Sequence, residues 1–387
     1  MLVEMDRVEG PHLDAFAQFY EGLPKDRTRP YCFMFFTSGL LHFVDAAIAF
    51  LPRTIRVALI GSALDGQERE WLAQHHPHLP FHHVDMVVDD KTIWEFLFTV
   101  AVENFGWIDI DCFILDEELL HETLCLSTNV ALSSPFTYQP RTLLRTHFLG
   151  VSADAIDALE AAVPTSPCTY TYQPSHVQRF PEHSYSRLLT AEHLNFMERV
   201  IPLHGARRYP AEPQQGILDL WSNGLTFQST DRRFAKEKFV DSGVRQVFPV
   251  FDTLVVAQLI LIGLGYRLNA VRGGLPEQDR GAFHLGGASY FRRLGADIGD
   301  LSREEQRKIS ALTLPQLCAH YFLARYLVAS RQAPDAYAQL LDTLERQLAW
   351  SEIAPMAAKV SLRHYLEQHG VSSSDLQHPA WAFIADP

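Results

Sequence analysis

Cysteine is scarce in this chain: the 387 residues hold five (Cys32, Cys112, Cys125, Cys168 and Cys318), widely spaced and without a C-x-x-C pair. Disulfide scaffolds and zinc ribbons are thereby excluded, and reduced thiols in a cytoplasmic protein are expected. Positive charge is also short, with 33 Lys+Arg against 46 Asp+Glu and a formal net charge of −13. Such a chain offers no footprint for a polyanion, so no nucleic-acid partner is expected. Long apolar runs are missing too. Residues 31–50 are broken by His42 and Asp45, and residues 250–264 contain Asp252 and Gln258. Neither suits a bilayer span of ~20 residues, so no transmembrane segment is expected. Residues 1–10 carry three acidic residues and one arginine with no apolar stretch, which argues against a secretory signal. No G-x-G-x-x-G follows the first strand and no G-x-x-x-x-G-K-[ST] occurs, which disfavours dinucleotide and P-loop sites.

What is present is apolar residue in quantity, 47% against 20% charged, enough for a large buried core. Tyr31 to Phe36 is an unbroken aromatic and apolar run, the pattern of a strand covered on both faces. Leu40 to Leu51 then follows helical period and stops at Pro52. The unit repeats: Arg56 to Ile60 reads as a strand, Gly61 to Gly66 as a loop, and Gln67 to His76 as a helix stopped by Pro77. Phe81 to Val84 makes a third strand, and Lys91 to Asn104 a helix for which Gly106 supplies a left-handed cap. Trp107 to Leu115 reads as a fourth strand. Strands alternating with helices predict an α/β fold with a mostly parallel sheet. Thr37, Ser38, Gly61, Ser62, Asp85, Asp109 and Asp111 then fall along the rim at the carboxyl ends of the strands, where such sheets bind ligands.

Asp109 and Asp111 stand at i and i+2 in that fourth strand, so their carboxylates are expected on one face. Two carboxylates drawn out of water repel each other and require a cation. Oxygen ligands suit Mg²⁺ or Mn²⁺ with positions left for phosphate oxygens. The bland alternative is a solvated or arginine-bridged strand end.

The order of these elements, with Thr37-Ser38 after the first strand and Trp107-Ile-Asp-Ile-Asp-Cys-Phe-Ile in the fourth, resembles the GT-A class of nucleotide-sugar glycosyltransferases over about residues 28–295. Downstream, Phe251 to Tyr266 reads as a helix opened by Asp252 and closed by Gly-x-Gly-Tyr; a strand over Arg267 to Val271 and the run Gly281 to Tyr290 follow. The resemblance implies a Rossmann-type, mostly parallel sheet and transfer of a sugar, a UDP-sugar in the commonest case, to an acceptor hydroxyl. It implies donor contacts by Thr37, Ser38, Asp85, Lys91 and Asp109, and Mn²⁺ or Mg²⁺ held by Asp109, Asp111 and His284. It further implies Asp252 as the base that takes the acceptor proton. Here Phe251-Asp252 stands where the class commonly has an acidic pair. Without that resemblance, His284 reads as a packed loop histidine and Asp252 as a carboxylate favoured by a helix N-terminus.

Other features carry less chemistry. His75 to His83 holds five histidines, but its prolines forbid a helical i, i+4 ligand pair, leaving adventitious surface binding of metal. The basic run Thr230 to Lys238 reads as a solvated face or as a flap over a diphosphate. Trp94 lies on a helix apolar nearly all round and reads as core. Seven prolines between residues 164 and 216, with Tyr170, Tyr172 and Tyr185 among them, suggest a loop-rich acceptor region. Past residue 300 three helical stretches follow, opened by the capping box Ser302 to Glu305. The expected organisation is an N-terminal helical segment (1–27), a glycosyltransferase domain (28–299, nucleotide half 28–150 and acceptor half 151–299) and a C-terminal helical appendage (300–387). The competing functions are a catalytically inactive sugar-nucleotide-binding or interaction protein of the same fold, and a D-x-D phosphatase. The latter is opposed by Cys112-Phe113 after the acidic pair.

Overall fold

The computed structural model describes residues 10–162, short segments between residues 235 and 288, and most of residues 312–384, apart from scattered positions within these ranges. In chain order the elements are α1 (Pro11–Gly22), β1 (Tyr31–Thr37), α2 (Leu41–Phe50), β2 (Arg56–Ser62), α3 (Gly66–His75), β3 (Phe81–Val84), α4 (Asp90–Val100), β4 (Phe105–Ile108), β5 (Cys112–Ile114) and α5 (Glu117–Leu124). They continue as β6 (Val130–Ser134), β7 (Phe148–Val151), α6 (Ala153–Ala162), β8 (Ala235–Phe239), β9 (Arg245–Pro249), β10 (Arg267–Ala270), β11 (Ala282–His284), α7 (Leu314–Ser330), α8 (Asp335–Trp350) and α9 (Pro355–Gln368). The chain divides into two compact units, one of Tyr31–Val87, Ile108–His121 and Pro276–Pro387, the other of Met1–Pro30, Val88–Trp107 and Glu122–Leu275.

In the first unit β1, β2 and β3 are parallel, in the order β3-β2-β1. Thr37 is level with Ser62, and Ser62 with Val84, so the three strands end on one line. Residues 32–36 are buried without alternation, as expected where both faces of a strand are covered. The β2 strand runs two residues past the predicted end, because Gly61 and Ser62, expected in a loop, pair with both neighbouring strands. Helix α3 is opened by a capping box: Asp65 accepts from the Glu68 N–H (2.8 Å) and Glu68 accepts from the Asp65 N–H (3.2 Å). The C-terminal helices are built into this unit. Helix α7 packs on α2, α8 and α9. The aromatic cluster of Phe50, Phe113, Phe283, Tyr365 and Trp381 joins α2, β5, β11 and α9.

In the second unit the strands lie in the order β10-β6-β7-β4, with β10 parallel and β7 antiparallel to β6. The sheet strands are therefore mixed, though parallel in the main. Phe16 of α1 packs on Phe96 of α4, while Trp94, fully buried, lies with its ring centroid 4.6 Å from that of Trp107. Its reading as a core residue agrees with this position. Gln258, polar within an apolar stretch, is fully buried and bonds both backbone groups of Leu144, accepting from its N–H (2.7 Å) and donating to its carbonyl (2.8 Å). No helix of the described residues is long and apolar enough to cross a membrane.

Two local expectations are corrected. Gly106 does not cap α4, which ends at Val100; it lies inside β4, where hydrophobic neighbours draw the backbone into the sheet. Residues 107–115 are not one strand: β4 stops at Ile108 and β5 begins at Cys112, leaving the acidic pair in the turn between.

Candidate functional site

The turn that carries Asp109 and Asp111 is closed by the Cys112 N–H, which donates to the Asp109 carbonyl at 2.9 Å. Sheet register then brings the third group to it. β11 runs antiparallel to β5 with His284 opposite Cys112, next in sequence to Asp111. His284 Nε2 lies 3.2 Å from Asp111 Oδ1 and 3.9 Å from Asp109 Oδ2. Beyond β11 the chain folds over Asp111: the Leu285 N–H donates to its carbonyl (3.0 Å) and the Ala288 N–H to Oδ2 (3.1 Å). The two carboxylates are thus gathered by a turn and a strand partner, not by strand alternation.

Burial grades the three groups. The Asp111 side chain is 9% exposed, His284 19% and Asp109 29%, so Asp111 is anchored while Asp109 faces outward. Cys112, at 1% exposure, is no competitor as a ligand. Burial pushes its thiol well above the ordinary range, and the negative charges of Asp109 and Asp111 push it further. Two carboxylate oxygens and one imidazole nitrogen fit a hard or borderline divalent cation such as Mn²⁺ or Mg²⁺.

The loop after β1 carries the next predicted residues. Thr37 ends β1, 4% exposed, and its Oγ1 is buried with no hydrogen-bond partner among the described residues. The Ser38 N–H donates to the Ser62 carbonyl (3.2 Å), and the Ser38 side chain bonds Glu68. Glu68, 1% exposed, also accepts from the Gly39 N–H and from the Tyr337 hydroxyl of α8, both at 2.8 Å; that hydroxyl in turn accepts from the Leu41 N–H (2.8 Å). Burial raises the Glu68 carboxyl above its usual value, and the hydrogen bonds from Gly39, Ser38 and Tyr337 offset part of that rise. Neither Glu68 nor Tyr337 is prominent in the sequence as a site residue. The only sequence signal for Glu68 is the D-x-x-E spacing of the capping box; Tyr337 gives none, because its partner lies 269 positions away.

The remaining predicted residues fall as follows. Asp85 is exposed immediately after β3, and Lys91 lies in the first turn of α4, its side chain outside the described residues. Asp252 also lies outside them, as does the basic run up to residue 234. Two of the histidines of residues 75–83 are taken up by partners within the fold. His76 is buried against Asp45 (3.0 Å), which also accepts from Arg331 (3.0 Å), and His83 accepts from the Leu64 N–H (3.1 Å). Burial raises the Asp45 carboxyl, but the His76 and Arg331 bonds outweigh it, leaving the group below its ordinary value.

Comparison with known proteins agrees with the enzyme class expected from the sequence. Residues 6–156 match the family described as the StrH glycosyltransferase N-terminal domain. The chain is 28% identical, over 386 residues, to a dTDP-dihydrostreptose--streptidine-6-phosphate dihydrostreptosyltransferase of Streptomyces griseus, covering 96% of this chain and 94% of that protein. Among solved structures it is similar to the WbbM bifunctional glycosyltransferase in its apo form (TM-score 0.27, 10% identity, 44% of this chain and 40% of that one). It is also similar to the apo glycosyltransferase GlyE of Streptococcus pneumoniae TIGR4 (TM-score 0.27, 9% identity, 51% and 44%). Along nearly its whole length, then, the chain is similar to a glycosyltransferase acting with a nucleotide-sugar donor.

Proposed function

We propose that this protein is a metal-dependent glycosyltransferase of GT-A architecture, moving a sugar from a nucleoside-diphosphate donor to an acceptor hydroxyl. The observation that carries the reading is the meeting of His284 of β11 with Asp109 and Asp111 in the turn between β4 and β5. Its support is the end-to-end similarity to a protein named for a dTDP-sugar, which places dTDP beside UDP as the donor nucleotide to test. Asp109, Asp111 and His284 hold Mn²⁺ or Mg²⁺, which when bound neutralises charge on the departing diphosphate. Asp111 is the anchored ligand, since Ala288 holds one of its oxygens and leaves the other toward His284. Asp109, more exposed, is the group available to the donor ribose. The buried Thr37 hydroxyl and the Ser38-Gly39 backbone line the nucleotide side, with Asp85 and Lys91 as further donor contacts. Residues 28–150 supply the nucleotide half and residues 151–299 the acceptor half, with Asp252 as the base.

Titration calorimetry tests this. dTDP or UDP is expected to bind at least about tenfold more tightly with Mn²⁺ than with EDTA. Asp111→Asn, which keeps shape and removes charge, is expected to abolish that difference while leaving the fold intact. Nucleotide binding indifferent to metal, or an Asn variant that behaves like the parent, refutes the assignment.

A further inference from the structure

The acidic turn is held from the C-terminal helices by groups with no place in the reaction described above. Asp111 Oδ2 accepts from the Ala288 N–H, so the position of that oxygen depends on where residues 285–288 run. This stretch has little rigidity of its own: Gly286 and Gly287 are consecutive glycines at φ 74° and 89°, in the left-handed region. Its position is imposed from α7. Gln316 Nε2 donates to the Leu285 carbonyl (3.3 Å), while its Oε1 is fixed by the Thr313 N–H (3.0 Å) in the capping box that opens α7. One turn on, His320 lies 3.3 Å through Nε2 from the Gly287 carbonyl. The space around the glycines is filled by this helix and the residue before its cap, since a Cβ on Gly287 would stand 3.0 Å from both Gln316 Cδ and Leu312 Cδ2.

The His320 ring is itself fixed. A carbonyl only accepts, so Nε2 carries the proton and Nδ1 is an acceptor. Nδ1 meets His42 Nε2 at 3.1 Å, and that nitrogen is therefore the donor. His42 and His320 are 1% and 0% exposed, and burial holds both below the ordinary histidine range, so the two rings stay neutral and keep these tautomers. The line of bonds runs from α2 through α7 to the Gly287 carbonyl and, through the Ala288 N–H of that same peptide, to the Asp111 carboxylate.

We propose that Gln316 and His320 are positioning residues for the candidate metal site: they place the Gly286-Gly287-Ala288 backbone so that Ala288 holds one Asp111 oxygen and the other stays toward His284. The inference rests on reading the acidic turn as that site, and it adds that metal affinity is set in part from the C-terminal helices. Polar partners one step removed from the ligands of a metal typically change affinity by 10–100-fold when removed.

The test uses the full chain and three variants. His320→Phe keeps the ring and removes both bonds, Gln316→Leu removes the bond to Leu285, and His320→Gln keeps an N–H for Gly287 and an oxygen for His42. Mn²⁺ alone is titrated into each, and exchange of the Ala288 amide is followed by NMR. His320→Phe and Gln316→Leu are expected to weaken Mn²⁺ binding by about tenfold and to speed Ala288 exchange, while His320→Gln stays near the parent in both. A merely structural role lowers the melting temperature with Mn²⁺ affinity unchanged in the folded variant, and that result overturns the proposal. If the Phe variant misfolds, Gln316→Leu and His320→Gln decide the matter. The two readings separate cleanly: a parent that binds no Mn²⁺, yet loses Ala288 protection in these variants, defeats the metal site and leaves the positioning intact. A parent that binds Mn²⁺ with Ala288 exchange indifferent to Gln316 and His320 defeats only the positioning.

Discussion

Mild acid is expected to destabilise the protein through its buried histidine pair, and the size of the effect follows from burial. His320 is pushed down to about 3, first by desolvation, which the bond to Gly287 only partly opposes; His42 is held well below its ordinary value by burial and then by His320 itself. The unfolded chain protonates each near 6.5, so over the intervening range it binds more protons than the native state. Stability therefore rises with pH there, and falls as pH drops below about 6.5. At roughly 1.36 kcal/mol per pH unit, moving from about pH 7.5 to about pH 5 costs ~2 kcal/mol for each ring that stays neutral. Glu68, raised by burial, has the opposite sign in this range, because its native form holds its proton longer than the unfolded form does. The total slope is consequently less informative than a difference. Urea unfolding at several pH values, followed by tryptophan fluorescence and circular dichroism, is to be compared between the parent and His320→Gln. The variant is expected to lose about 2 kcal/mol less than the parent over that interval. Parallel curves would show that His320 titrates normally in the folded protein, and the neutral, tautomer-locked pair would then be refuted.

Three further outcomes are expected. Tyr337→Phe leaves the buried Leu41 N–H without its acceptor, at a cost of about 1–3 kcal/mol in urea unfolding; a near-neutral result would mean that the hydroxyl does not cap α2. Gly287→Ala forces an L side chain to φ 89° against Gln316 and Leu312, and is expected to cost about 2 kcal/mol and to weaken Mn²⁺ binding in the same calorimetric titration. Asp252→Asn is expected to leave donor affinity unchanged and cut transfer to the acceptor by about a hundredfold or more; an inverted product formed at near-parent turnover would remove Asp252 as the base.

Much of the architecture was legible from local pattern. The run Tyr31 to Phe36, the helix stopped at Pro52 and the strand Phe81 to Val84 carry their periods in consecutive residues, and they form where the pattern places them. Where local pattern failed, a distant strand had decided. Gly61-Ser62 looks like a loop but is paired on both sides by β1 and β3, and the apolar run from Trp107 to Leu115 hides a break because its two halves pair with different partners.

The same division holds at the candidate site. Residue type and spacing singled out Asp109 and Asp111, since two carboxylates bracketing one residue in an apolar stretch need a reason to be there whatever the fold, whereas His284 was singled out only by the resemblance to nucleotide-sugar glycosyltransferases. How they meet was decided only by the tertiary structure: 173 positions separate Asp111 from His284, and only the pairing of β5 with β11 brings His284 to 3.2 Å. The partnership of Glu68 with Tyr337 and that of His320 with His42 left no signature in the chain, because hydrogen bonds across 269 and 278 positions leave nothing periodic in it. Sequence determined which groups are candidates for the chemistry, since charge and ligand type belong to the residues themselves; the fold alone decided their distances and burial, which depend on neighbours that the chain brings in from elsewhere.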